Sequence, residues 1–184
     1  VLALGFGTAV VKFVGVSRGR GDTLRRSEFV STTLAVYCVL GALSAVGVWL
    51  LSMRLAELFG VPSARAGEAS LVLWIVALRS VVLSLPLSTF RGALFGSERI
   101  HAVNLTQLLG VGVYAAGILV VVHLDAGLVG LALANLFSML VEHGVYVVLC
   151  YRLLPDFRLS LRGVRADRFR EVASYSLYAL VALL

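Results

Sequence analysis

Three charged residues stand inside apolar stretches of this chain, and their side chains are the ones that could do chemistry there. Arg79 lies at the middle of one apolar run, Glu142 within another, and Lys12 about one turn from the end of a third. A cation at the centre of a membrane costs on the order of 3 kcal/mol on insertion scales, so such a residue usually faces a water-filled cavity or a partner. Arginine offers a planar fork of donors suited to bidentate binding of an anion. Two cations against one acid favour an anionic substrate over a cationic one. The plainer readings are a structural ion pair between Arg79 and Glu142, and a Lys12 that snorkels to the interface.

Other polar residues repeat at helical spacing. Gly5, Thr8 and Lys12 form one line, and Thr33, Tyr37, Gly41 and Ser44 a second. Asn104 and Gln107 continue through Val111 to Tyr114, and Asn135, Ser138 and Glu142 form a fourth line. At 3.6 residues per turn each line falls on one helix face. Such faces point at neighbouring helices, as polar contacts between them, or at a shared hydrated cavity. Asn104, Gln107, Asn135 and Ser138 are thereby candidate cavity-lining residues, and Glu142 is a candidate for ion coupling. Pro86, two turns after Arg79, predicts a kink near that cation.

The elements that must position these residues are membrane spans. Of the 184 residues 60% are hydrophobic and 14% charged, against about 45–50% and about 25% in soluble domains. Mean hydropathy is +0.98. Four runs, at about 30–53, 69–90, 103–124 and 128–151, reach the roughly 20 residues a span requires, with partial runs at both ends. Each must be helical, because hydrocarbon satisfies no loose backbone N–H. The fold class expected is therefore all-α, a polytopic transmembrane helix bundle.

The arginines give the orientation. Loops 17–29, 91–101 and 152–172 hold twelve arginines between them, and the other two loops hold two. Cytoplasmic loops carry the Lys/Arg excess, so those three are expected inside the cell. In the outer loop Gly60-Val61-Pro62 predicts a turn beside a short interfacial piece. The segment 152–172 mixes arginines with Phe157, Leu159, Leu161, Val164 and Phe169. It reads as an amphipathic stretch on anionic inner-leaflet lipids, or equally as a stop-transfer charge cluster.

The basic balance of +6 does not point to nucleic acid, because the charge is confined to short loops. Cys38 and Cys150 sit far apart in apolar runs and read as small buried hydrophobes. His101, His123 and His143 fall at different depths, and no cluster has metal-ligand spacing. No glycine-rich phosphate loop follows a strand. No cofactor, metal or catalytic constellation is expected. With Val1 opening directly into an apolar segment and Leu184 falling inside another, the chain reads as part of a longer polytopic protein.

The order of several short motifs resembles a known family. Gly7-Thr8-Ala9-Val10-Val11-Lys12-Phe13-Val14 runs into Arg18, Arg20, Gly21 and Asp22, then Ser31-Thr32-Thr33-Leu34. Phe59-Gly60-Val61-Pro62 follows, and Leu85-Pro86 precedes Arg91-Gly92-Ala93-Leu94-Phe95-Gly96-Ser97-Glu98-Arg99 and Asn104. Together these resemble the amino-terminal half of oligosaccharide flippases, polysaccharide-export proteins of the multidrug/oligosaccharidyl-lipid/polysaccharide superfamily.

The resemblance implies a fold of two six-helix lobes around a cavity. It would make residues 1–152 helices two to six of the first lobe, 153–172 an inter-lobe linker and 173–184 the start of helix seven. It implies transport of undecaprenyl-pyrophosphate-linked oligosaccharide from the inner to the outer leaflet of the plasma membrane by alternating access, with other polysaccharide-assembly membrane proteins as neighbours. Arg79 and Lys12 would then engage the pyrophosphate. A multidrug or cation antiporter of the same superfamily is the alternative. A polytopic glycan polymerase fits less well, because it would need large outer loops.

Overall fold

A computed structural model describes residues 6–19, 22–54, 60, 62, 65–154, 157, 159, 167, 169–171 and 174. Gly5, the Thr8 side chain, Leu161, Val164 and residues 175–184 lie outside the described set, as does most of the outer loop in which a short interfacial piece is expected. Among the described residues these helices are delimited: α1 Phe6–Gly19, α2 Thr23–Ser52, α3 Ala66–Gly96, α4 Ile100–His123 and α5 Gly127–Leu153. Four of them, α2 from Arg26 and the whole of α3, α4 and α5, are long and apolar enough to cross a membrane. The chain is an all-α transmembrane helix bundle.

The burial pattern agrees with an apolar solvent. In these four spans only 11–28% of the most apolar window is buried inside the bundle. Leu43, Trp49, Leu105, Leu108, Leu119 and Phe137 are exposed. In water such faces would drive aggregation; in hydrocarbon they cost nothing.

The helices meet at short turns. Asp22 follows α1, its N–H bonded to the Ser17 carbonyl, and its own carbonyl accepts the Arg26 N–H at 3.2 Å to start α2. After α3 the Ser97 and Arg99 amides fold back on Ala93 and Leu94 carbonyls, with Glu98 at φ 58°. Asp125 at φ 49° and Gly127 at φ 59° make the turn into α5, and Gly60 at φ 60° supplies the turn expected of it. The loops at 17–29 and 91–101 are therefore much tighter than the charge pattern predicts. Helix continues to Gly96 and resumes at Ile100, because nothing between Phe90 and Gly96 breaks it.

Alternate turns share an end of the bundle. Arg18 at the close of α1 pairs with Glu98 in the α3–α4 turn at 2.9 Å, and its guanidinium also donates to the Ser97 carbonyl. At the opposite end Glu68 of α3 lies beside Gly127 of α5. α3 and α5 therefore run parallel, with α4 antiparallel between their ends.

The best-packed core lies at the Arg18–Glu98 end. Val14, Val30, Leu94, Val103, Tyr146 and Cys150 are buried there together. Phe157 belongs to the same cluster, 6.2 Å from Phe90 between ring centroids. This aromatic residue of the 152–172 segment is drawn into the bundle, whereas Phe169 is exposed.

Helix α3 is not regular. Between its α-helical parts, Leu78–Leu83 forms a π turn, and the Ser84 N–H bonds to the Arg79 carbonyl five residues back. Pro86 has no N–H and its ring crowds the carbonyl of Val82. One extra residue in the preceding turn accommodates it. The π turn packs chiefly on α2, while the segments on either side of it pack on α5 as well.

Candidate functional site: an intramembrane polar cluster

Arg79 is the second residue of the π turn, near the middle of the α3 span. It is half-buried, and among the described residues its Nε is buried without a hydrogen-bond partner. No ion pair joins it to Glu142. The structural-bridge reading of Arg79 is thus not what the bundle contains.

Glu142 engages a different partner. Its Oε1 accepts a hydrogen bond from the Tyr146 hydroxyl at 3.1 Å, one turn on in the same helix. The same hydroxyl lies 3.3 Å from the Val103 carbonyl of α4. Arg91 of α3 lies near this hydroxyl without a hydrogen bond to it. Glu142 and Arg91 form no direct ion pair. His143 completes the cluster, its ring edge-on to Tyr146 at 5.7 Å and its Nδ1 3.1 Å from the Met139 carbonyl. It lies within reach of the charges of Glu142, Arg91 and Arg79.

Lys12 is not part of this cluster. It is exposed on α1, opposite Val10 and Val14, with its ammonium 5.7 Å from the Phe13 ring centroid. The Val11 carbonyl abuts Gly96, so Lys12 lies level with the end of α3. Arg79 is about 25 Å further along that helix at 1.5 Å per residue. The two cations expected to share one site are separated by most of the span.

The polar lines divide between glue and open surface. Ser138 is buried and donates to the Gly110 carbonyl of α4 at 2.7 Å, a helix–helix contact. Asn135 and Gln107 are half-buried, and Asn104 is exposed. On α2, Thr33 and Tyr37 are buried, and Ser88 of α3 stands beside the Tyr37 hydroxyl. Gly41 lies against the π turn. A methyl group there would meet the Val81 carbonyl at 3.2 Å and the Val82 carbonyl at 3.4 Å.

Sequence reasoning missed Arg91, His143, Tyr146 and Arg26. Arg91 and Arg26 read as loop charges, yet both lie inside helices, and Arg26 is buried beside Cys150. The signal was available in the lack of a helix breaker between Phe90 and Gly96 and in Asp22 ahead of α2. Nothing in the sequence marked His143 or Tyr146, because their roles depend on which helix faces them.

Among the described residues no group of His, Cys, Asp and Glu has the geometry to hold a metal. Arg79 and Arg91 stand at two depths on α3, and the Glu142 carboxylate with its Tyr146 hydroxyl partner stands on α5. Compared with protein-family models, curated proteins and solved structures, the chain matches none.

Proposed function

We propose that this chain belongs to a membrane flippase that moves lipid-linked oligosaccharide from the inner to the outer leaflet of the plasma membrane. The substrate would be a glycan on an undecaprenyl-pyrophosphate carrier, moved by alternating access. The observation that carries the reading is Arg79, a mid-span cation with a buried Nε that no acceptor among the described residues meets. Intramembrane charge of this kind marks substrate pathways, and a pyrophosphate is a ligand suited to its donor fork. The π turn that holds Arg79 adds support, since such turns recur at functional sites. The motif order that resembles the flippases supplies the substrate class.

In this reading the Arg18–Glu98 end faces the cytoplasm, as the arginine excess of its loops favours. Arg79 meets the headgroup at the midplane, and the exposed apolar faces of the spans accept lipid tails.

A leaflet-resolved measurement of lipid-linked oligosaccharide, in cells lacking the intact gene, tests this. Accumulation of the carrier on the inner leaflet, relieved by the full-length gene but not by its Arg79→Ala variant, is expected. Normal carrier distribution with raised sensitivity to cationic drugs would overturn the reading in favour of an antiporter.

A further inference from the structure

Arg79 does not stand where a regular helix would put it. In an unbroken α-helix residues eleven apart lie about 20° from each other around the axis, so Arg79 would line up with Phe90, which is buried in the core. One extra residue turns the helix before it by about 100° against the helix after it. The π turn at Leu78–Leu83 inserts that residue, and Arg79 lines up with the exposed Arg91 instead. We propose that this turn aims Arg79, carrying its charge from the packed side of α3 to the open side, and that Pro86 and Gly41 hold it in that register. This is a positioning role for the turn, and it rests on the flippase reading, in which Arg79 meets the headgroup.

Pro86 has no N–H to give the Val82 carbonyl and its ring crowds that oxygen, so a regular helix through this level is costly. The Ser84 N–H reaches back to the Arg79 carbonyl and skips that of Ser80. The wider turn sets its backbone against α2, where Gly41 leaves the room. A methyl group there would stand 3.2 Å from the Val81 carbonyl oxygen and 3.4 Å from the Val82 Cα. No side chain of the turn is fully buried, and the close contact with Gly41 is made by backbone. On the far side of the turn Arg79 shares its line with Val72 and Glu68, at helical spacing. Val72 is half-buried and Glu68 is exposed, beside Gly127 of α5. This line lies at the edge of the packed face and not within it. A regular α3 cannot satisfy both halves: keeping the packed face around Phe90 turns the outer line, with Arg79 on it, by about 100°.

Spin-label distances and transport, both read on the cysteine-free full-length protein, test this. Labels on Val76→Cys of α3 and Leu119→Cys of α4 report the turn, since both side chains are exposed. A rotation of about 100° displaces a side chain by roughly 8 Å. Pro86→Ala should shift the label distance and lower transport by about tenfold or more. Deleting Leu83 in that variant removes the extra residue and returns Arg79 to its line. The distance should then return, and transport should recover to within about threefold of the wild type. In Pro86→Ala, the exchange Arg79→Ser with Ser80→Arg should restore transport while the distance stays shifted, because position 80 then takes the place of 79. The same exchange with Pro86 kept should abolish transport at an unchanged distance. A wild-type distance in Pro86→Ala, or wild-type transport at a shifted distance, would overturn the proposal. So would a loss of transport that neither the deletion nor the exchange restores. Distances that move and return as expected, in a protein that moves no lipid-linked oligosaccharide in the leaflet-resolved assay, would leave the aiming turn standing and remove the flippase reading.

Discussion

Gly96 of α3 and Val11 of α1 touch backbone to backbone: a methyl group on Gly96 would stand 2.6 Å from the Val11 carbonyl oxygen and 2.9 Å from the Val14 Cβ. Neither contact is with the free end of a flexible side chain, so the helices themselves would have to part. Gly96→Ala should destabilise the protein by about 1–3 kcal/mol, the range for overpacking a tight contact. Gly112, which has nothing within 4 Å, is the control. Gly112→Ala should be neutral or stabilising by up to about 1 kcal/mol through helix propensity. Thermal unfolding in detergent checks both.

Gly41 makes the corresponding contact between α2 and the π turn, at 3.2 Å from the Val81 carbonyl. Gly41→Leu should push α2 off that turn and disturb Arg79 without touching it. We expect transport to fall at least tenfold while membrane insertion, read by protease protection, is retained; a displacement of about 1 Å at a site is enough for a loss of that order.

Arg79 should show a trade between stability and function. Its Nε is buried without a partner among the described residues, and an unmet buried polar group costs about 1–3 kcal/mol. Arg79→Leu is expected to raise the unfolding temperature and abolish transport, while Arg79→Lys keeps part of the transport. Normal transport in Arg79→Leu would remove Arg79 from the substrate path.

Ser138 should behave in the opposite way. Its hydroxyl donates to the Gly110 carbonyl at 2.7 Å, a helix–helix bond worth about 0.6 kcal/mol on average in membranes. Ser138→Ala should cost a stability loss of that order and leave transport at the wild-type rate, measured by the leaflet-resolved assay.

The topology is open to direct labelling. Arg18 and Glu98 meet at one end, and Asp125 turns the chain at the other. In a background with Cys38 and Cys150 replaced by alanine, Glu98→Cys should react with an impermeant maleimide only from the cytoplasmic side. Asp125→Cys should react only from outside. Labelling of both from one side would contradict the alternation of turns.

The four long spans and their helical type were legible in the sequence alone. Hydrocarbon demands a long apolar run and a closed hydrogen-bond ladder, and both conditions are local, so the runs at 30–53, 69–90, 103–124 and 128–151 reappear as α2 to α5. The alternation of arginine-rich loops likewise anticipated which turns share an end, as the Arg18–Glu98 pair bears out. Arg79 stood out because a charge in an apolar run is conspicuous without any knowledge of its neighbours. What the tertiary structure decided is who meets whom. Lys12 and Arg79 looked like a pair by type, but α1 packs along the last turns of α3, about 25 Å from the π turn. Glu142 looked like a partner for Arg79, but the rotation of α5 turns it to Tyr146 and Gly110. Arg91 looked like a loop charge until α3 was seen to continue past it to Gly96. Depth in the membrane is written along one chain; the rotation and register of one helix against another are set by contacts such as Gly41 on Val81 and Gly96 on Val11, which only packing brings together.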